Sequence, residues 1–105
     1  MEVKCSSLSE VRESIDNVDR AIVALLAERG NLVTQAASFK KTTDDVKAPS
    51  RVEHVISKVT ALAQAQGANP EVVERVYRAM ISAFIEAELR EHCFLSENRG
   101  KPEHA

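Results

Sequence analysis

The chain has 105 residues, 44% hydrophobic and 29% charged, which fits one ordinary globular domain. A net charge of −2 gives no indication of a nucleic-acid partner, and no apolar run approaches the ~18 residues of a membrane span. The start of the sequence lacks a signal-peptide pattern, so Cys5 and Cys93 are expected to be reduced thiols of a cytoplasmic protein.

The first predicted element is a long helix over residues 7–41. Its opening, Ser7 to Glu10, has the pattern of a capping box. Gly30 is the weak point, because glycine inside a helix costs about 1 kcal/mol relative to alanine and could instead form a left-handed cap. One continuous helix is nevertheless predicted, because the apolar seam keeps its phase across Gly30. The seam recurs at steps of four and three, at Val11, Ile15, Val18, Ile22, Leu25, Arg29, Leu32, Ala36 and Phe39.

Two further helices are predicted after a polar loop at residues 42–48. Pro49 opens the second helix and Gly67 ends it, while Asn69 and Pro70 are the N-cap and first residue of the third. The third helix is expected to end near residue 93, and residues 94–105 to be a disordered tail. The apolar face of the second helix comprises Val52, Val55, Ile56, Val59 and Leu62, and that of the third Val73, Tyr77, Met80, Ile81, Phe84 and Leu89.

The predicted fold is therefore all-α, with one long and two shorter helices in a single domain whose ordered core spans about residues 7–93. A helix over residues 7–41 would be ~52 Å long. A compact chain of this size has a radius of gyration of ~13 Å. Two shorter helices cannot cover such a helix, so the sequence predicts an intertwined homodimer.

Several charged residues lie where apolar ones are expected. Arg29 occupies the seam of the first helix, and Lys40, eleven residues later, is predicted on almost the same face. Glu88 falls on the inner stripe of the third helix and Arg51 starts the second. Each cation could extend its head to solvent, and Glu88 could form a structural ion pair. Together they favour a bound ligand with two carboxylates, because buried charges are costly unless paired or bound.

Arg12 precedes Arg29 by seventeen residues, which is ~25 Å along one helix. The two cannot hold one small molecule from the same straight helix. Either Arg12 is a solvated helix residue, or it reaches the site of a second chain in an antiparallel dimer.

These residues stand in stretches that resemble the all-helical chorismate mutase family, which includes the closely related isochorismate pyruvate lyases. The resemblance extends over about residues 8 to 92, and the ordered set of three arginines and a lysine is its most specific part. The matching stretches are Val11-Arg12-Glu13, Leu25-Leu26-Ala27-Glu28-Arg29, Phe39-Lys40 and Ala48-Pro49-Ser50-Arg51-Val52.

The resemblance implies a role for each position. Arg12 matches an arginine supplied by the partner subunit, and Arg29 one that grips a substrate carboxylate within its own subunit. Lys40 matches the lysine that donates to the ether oxygen of the substrate. Arg51 matches an arginine near the substrate, and Glu88 stands where many members have glutamine, the second donor to that oxygen.

Two positions depart from the usual mutase pattern. Typical mutases have a glutamate after the second-helix arginine, which accepts from the ring hydroxyl, and here the residue is Val52. The Ala-Pro-Ser-Arg-Val pattern is similar to the lyase branch. Glu88 in place of glutamine is the second departure, although some mutases also carry glutamate there.

The implied chemistry is a pericyclic rearrangement of chorismate to prephenate, which needs no nucleophile, metal or redox cofactor. It needs the enolpyruvyl arm held over the ring and fixed donors at the oxygen that gains negative charge. The leading hypothesis is a chorismate mutase acting on a small dianion, and the runner-up an isochorismate pyruvate lyase. A non-catalytic helical interaction module is the alternative of another class.

Overall fold

A computed structural model describes the backbone of residues 4–100 and the side chains of residues 4–91. Within these residues the secondary structure is entirely helical, which confirms the all-α prediction. The elements are α1 (Leu8–Ala37), α2 (Thr43–Lys47), α3 (Pro49–Gln66) and α4 (Pro70–Gly100). The chain divides into two compact units, Met1–Gln35 and Ala36–Ala105.

Helix α1 is continuous through Gly30, as predicted. At its start the Ser7 Oγ accepts the Glu10 N–H at 3.1 Å. The Glu10 carboxylate accepts from the Ser6 N–H at 3.1 Å, one residue earlier than in a standard capping box. Hydrogen bonds from the Ser6 side chain and backbone hold the pKa of Glu10 below its usual range. These bonds fix where α1 begins.

The other end of α1 differs from the prediction, because the helix stops at Ala37 and not at residue 41. There the chain tightens into a turn, in which the Phe39 N–H donates to the Ala36 carbonyl and the Lys40 N–H to the Ala37 carbonyl. Such i to i−3 bonds satisfy terminal carbonyls and end a helix without glycine or proline. Lys40 therefore lies beyond the helix.

No residue of the 30-residue helix α1 is buried. The large apolar residues of the predicted seam that lie within α1 are solvent-exposed, from 39% at Val11 to 62% at Leu25. At 1.5 Å per residue the helix is ~45 Å long. The apolar seam of α1 therefore does not belong to a buried core.

In the second unit, residues 42–48 were expected to be a loop, and this was wrong for most of the segment. Helix α2 forms at Thr43–Lys47 behind a capping box, in which Thr42 is the N-cap and Asp45 the reciprocal acceptor. Five residues are too few to show a helical period, but Val46 is only 3% exposed. Because α2 contacts α4, this buried side chain anchors the segment.

The junction of α2 and α3 is a single residue. Ala48, at φ 36° and ψ 61°, is both the C-cap of α2 and the N-cap of α3. Its N–H donates to the Asp44 carbonyl at 2.8 Å and its carbonyl accepts the Val52 N–H at 3.0 Å. A positive φ is uncommon for a residue with a Cβ. The two hydrogen bonds therefore hold Ala48 in a backbone conformation that alanine does not prefer. Pro49 then starts α3, as predicted.

Helices α3 and α4 pack against each other and provide most of the buried core. Ile56, Val59 and Ala63 of α3 and Ile81 of α4 are each at most 9% exposed. Burial of one such branched side chain contributes about 1.5–3 kcal/mol. Leu62 was predicted on this face but is 49% exposed, because the buried row continues to Ala63 instead.

The turn between α3 and α4 follows the prediction. Gly67 caps α3 at φ 76°, a left-handed conformation that glycine adopts without a Cβ penalty. The Asn69 Oδ1 accepts the N–H groups of Glu71 and Val72 at 3.0 and 3.3 Å, as an N-cap does. These bonds fix where α4 restarts.

Helix α4 continues to Gly100, past the end expected near residue 93. The remainder of the predicted disordered tail, residues 101–105, lies outside the described residues. Among the helices described, none combines the length and the apolar character needed to cross a bilayer.

Candidate active site

The second unit brings together two of the charged residues singled out in the sequence. The Lys40 Nζ lies 3.2 Å from Glu88 Oε2 and 3.4 Å from Oε1, although the residues are 48 positions apart. Their side chains are 24% and 9% exposed. A largely buried carboxyl is thus held against a partly buried ammonium.

The position of Glu88 follows from the apolar stripe of α4. It is seven residues after the buried Ile81 and four after the half-buried Phe84, which places all three on one helical face. The prediction that Glu88 lies on the inner side of the third helix therefore agrees with its low exposure. The structural ion pair considered as an alternative is present, with Lys40 as the partner.

Lys40 reaches this position by a different route from the one predicted. It was expected on the same face of the long helix as Arg29, but α1 ends at Ala37 and Lys40 follows the turn. The angular argument that joined Lys40 to Arg29 was therefore wrong. Lys40 belongs instead to the segment that leads into α2.

Arg51 and Val52 lie in the first turn of α3. Arg51 is exposed and Val52 is half-buried. Glu53 is turned to another contact, since its carboxylate accepts from Arg78 of α4 at 2.9 and 3.0 Å. That guanidinium holds the pKa of Glu53 below its usual range. Glu53 therefore joins α3 to α4 at the surface.

Arg12 and Arg29 both lie on α1, in the first unit. Arg12 is exposed and Arg29 is half-buried. Their assignment to carboxylate binding from opposite subunits stays a prediction.

The Lys40–Glu88 pair can donate hydrogen bonds to a ligand and accept them from it. The Lys40 ammonium can donate to a ligand oxygen, whereas Glu88 donates only when protonated and otherwise accepts. An oxygen that gains negative charge would compete with the Glu88 carboxylate for Lys40. Across residues 4–91, no three His, Cys, Asp or Glu side chains gather as a metal site requires.

Thr42 and Asp45 were not predicted from the sequence to take part in the site, although both form hydrogen bonds that hold the backbone beside Lys40. The Asp45 Oδ2 accepts the N–H groups of Lys41 and Thr42 at 3.1 and 3.2 Å, and the Thr42 Oγ1 accepts the Asp45 N–H at 3.0 Å. The signal was the Thr-x-x-Asp spacing, a capping box with aspartate as the acid. The segment is short and polar, so it shows no helical period that would have marked this spacing as the start of a helix.

Comparison with known proteins places the chain. A protein similar to it is the isochorismate pyruvate lyase of Pseudomonas aeruginosa, 29% identical over 86 residues, or 82% of this chain and 85% of the relative. Another is the chorismate mutase of Methanocaldococcus jannaschii, 24% identical over 75 residues, or 70% and 76%. The family model for chorismate mutase type II matches residues 11–89, which include both Lys40 and Glu88. With three quarters of its length matched and an all-helical fold, this chain belongs to the chorismate mutase type II family.

Proposed function

We propose that this chain is a chorismate mutase, which rearranges chorismate to prephenate. The observation that carries the proposal is the contact between Lys40 and Glu88, at 3.2 Å and largely shielded from water. It places a cationic donor beside a second group that can donate when protonated. Family membership supports a substrate of the chorismate type.

In this reaction the ether C–O bond breaks while a C–C bond forms between the enolpyruvyl arm and the ring. Negative charge grows on the ether oxygen as the bond lengthens. Lys40 donates to that oxygen, and a donor fixed in advance stabilises the transition state more than the ground state. Glu88 can supply a second hydrogen bond when it is protonated. Each such donor contributes a factor of ~10² to 10³ in rate.

The arginines hold the two carboxylates of the substrate in this proposal. Arg29 binds one carboxylate within its own subunit, Arg51 lies near the substrate, and Arg12 comes from the partner subunit. Guanidinium groups suit this task because their paired N–H groups match carboxylate geometry. Binding of both carboxylates confines the flexible enolpyruvyl arm above the substrate ring, which is an orientation effect.

A homodimer with a site shared between subunits is part of the proposal. It is supported by the exposed apolar seam of α1, which runs along a 30-residue helix that has no buried residue. Burial of this seam against a second copy would make folding depend on protein concentration. We expect sedimentation at micromolar concentration to give a dimer, and an active compact monomer would contradict this.

The decisive assay offers chorismate and isochorismate separately to the same preparation. Chorismate loss is followed by absorbance and salicylate formation by fluorescence. A mutase consumes chorismate without forming salicylate, and Lys40→Ala should abolish this while circular dichroism stays unchanged. A folded dimer that turns over neither compound would favour the non-catalytic interaction module.

A second candidate function is isochorismate pyruvate lyase, favoured by Val52. This half-buried residue is apolar where typical mutases have a glutamate for the ring hydroxyl. The Pseudomonas relative named as a lyase also matches more of the chain than the mutase relative does. In the lyase reaction the same C–O bond breaks, and a ring hydrogen moves to the departing arm to give salicylate and pyruvate. Salicylate from isochorismate, with chorismate unchanged, would select this function.

A further inference from the structure

The backbone on both sides of Lys40 is held by hydrogen bonds. The Lys40 N–H donates to the carbonyl of Ala37 at 3.1 Å, which fixes the peptide group before it. The Lys41 N–H donates to the Asp45 carboxylate at 3.1 Å, which fixes the peptide group after it. Two fixed peptide planes determine φ and ψ of the residue between them, and therefore the direction of its Cα–Cβ bond.

Asp45 is itself fixed by its surroundings. Its N–H donates to the Thr42 Oγ1 at 3.0 Å, and its carboxylate also accepts the Thr42 N–H at 3.2 Å. The next residue, Val46, is 3% exposed and anchors α2. The Lys41 and Thr42 N–H groups hold the pKa of Asp45 below its usual range, and the charge of Lys40 adds to this effect. The carboxylate is therefore held by two backbone N–H donors and stays ionised at neutral pH.

We infer that Asp45 is a positioning residue for Lys40: it fixes the peptide group that follows Lys40 and so aims the ammonium at Glu88. The inference rests on the proposed function only for its kinetic consequence. A plain helix cap would stabilise α2 and leave the action of Lys40 unaffected. A positioning residue acts through Lys40, so its effect disappears when Lys40 is removed.

The first test measures the geometry without relying on activity. In the full chain, NMR gives the ¹³Cε and ¹Hε shifts of Lys40 before and after Glu88→Gln. We expect this change to move the Lys40 signals in the wild type and in the control Asp44→Ala, which removes an equal charge one residue earlier. In Asp45→Ala the response should fall to less than about half, because a misdirected ammonium no longer senses Glu88. An unchanged response in Asp45→Ala would overturn the inference.

The second test is a double-mutant cycle on kcat/KM, with Lys40→Gln as the second change. With Lys40 present, Asp45→Ala should lower kcat/KM roughly 10-fold, mainly through kcat, since ~1 Å misplacements cost up to 10²-fold. In the Lys40→Gln background its effect should be less than about 2-fold. Asp45→Asn keeps one side-chain carbonyl acceptor and should restore part of the loss, whereas Asp44→Ala should behave as the wild type.

The outcomes separate the two proposals. Equal losses from Asp45→Ala in both backgrounds would reduce Asp45 to a stabilising cap and overturn the inference. A wild type inactive on both chorismate and isochorismate would overturn the proposed function, and the NMR response would still decide the role of Asp45. Circular dichroism and thermal unfolding of every variant show that a kinetic loss is not a loss of fold.

Discussion

Replacement of Glu88 by glutamine tests the chemistry assigned to the Lys40–Glu88 pair. The substitution keeps the shape of the side chain, removes its charge and supplies an N–H donor at every pH. Ionised Glu88 accepts from Lys40 and repels an oxygen that gains negative charge. Glutamine releases Lys40 from this carboxylate and adds a second donor to the breaking bond.

The size of the effect follows from the geometry. Two unit charges 3.2 Å apart interact with about 5 kcal/mol at an effective dielectric constant of about 20. Desolvation of the two groups offsets most of this attraction, which leaves the roughly 1.5–3 kcal/mol typical of a hydrogen bond between charged groups. A release of that size corresponds to a factor of ~10 to 100 in kcat/KM, since ~1.4 kcal/mol is a factor of ten.

The assay is kcat/KM with chorismate, measured at neutral pH for both proteins. An ionised Glu88 cannot donate to the breaking bond, whereas glutamine can. Glu88→Gln should exceed the wild type by ~10- to 100-fold in kcat/KM. Glu86→Gln, which removes an exposed carboxylate from the same helix, serves as the matched control. Equal kcat/KM for wild type and Glu88→Gln would show that Glu88 does not face the breaking bond.

Three further predictions follow from other parts of the molecule. Arg12→Ala and Arg29→Ala should each nearly abolish activity while the protein stays folded. Mixing the two variants should restore some activity, because in the proposed dimer one site of a mixed pair carries neither change. Confirmed subunit exchange without recovery of activity would refute a shared site. Gly67→Ala should destabilise the fold by about 1 kcal/mol in thermal unfolding, because alanine is strained at φ 76° although its Cβ would meet no neighbour; an unchanged transition would contradict this. The ion pair with Arg78 lowers the pKa of Glu53 in the folded chain, so its contribution to stability is present above the unfolded pKa of glutamate and is lost as pH falls through the folded value. Glu53→Gln should therefore remove part of the acid dependence of chemical denaturation, and an identical acid dependence in the variant would refute the assignment.

Helix boundaries were predictable where a residue with a special backbone role marks them. Gly67 and Asn69 delimit the turn between α3 and α4, because a left-handed cap and an N-cap leave clear signatures. The end of α1 at Ala37 has no such marker, and the apolar seam continues in the sequence to Phe39. Helix α2, with five residues, is shorter than two turns and shows no period.

The candidate site was predictable in residue type and less so in arrangement. Glu88 could be placed on the inner face of α4, because helical spacing from Ile81 is a local property. Its contact with Lys40 spans 48 residues and depends on the turn after α1, which local periodicity does not encode. The proposed sharing of a site between Arg12 and Arg29 of different chains would be a property of an assembly, which the spacing of residues within one chain does not encode.

The single residue between α2 and α3 restricts how this chain can change in length. Ala48 ends one helix and begins the next, so the junction has no spare residue to absorb an insertion. One added residue would turn the first residues of α3 by about 100° relative to the segment that carries Lys40. The three-residue connection at 67–69, which joins α3 to α4 by a glycine cap and an asparagine cap, has no such coupling. Insertions and deletions among relatives of this chain should therefore accumulate at residues 67–69 and be rare at Ala48.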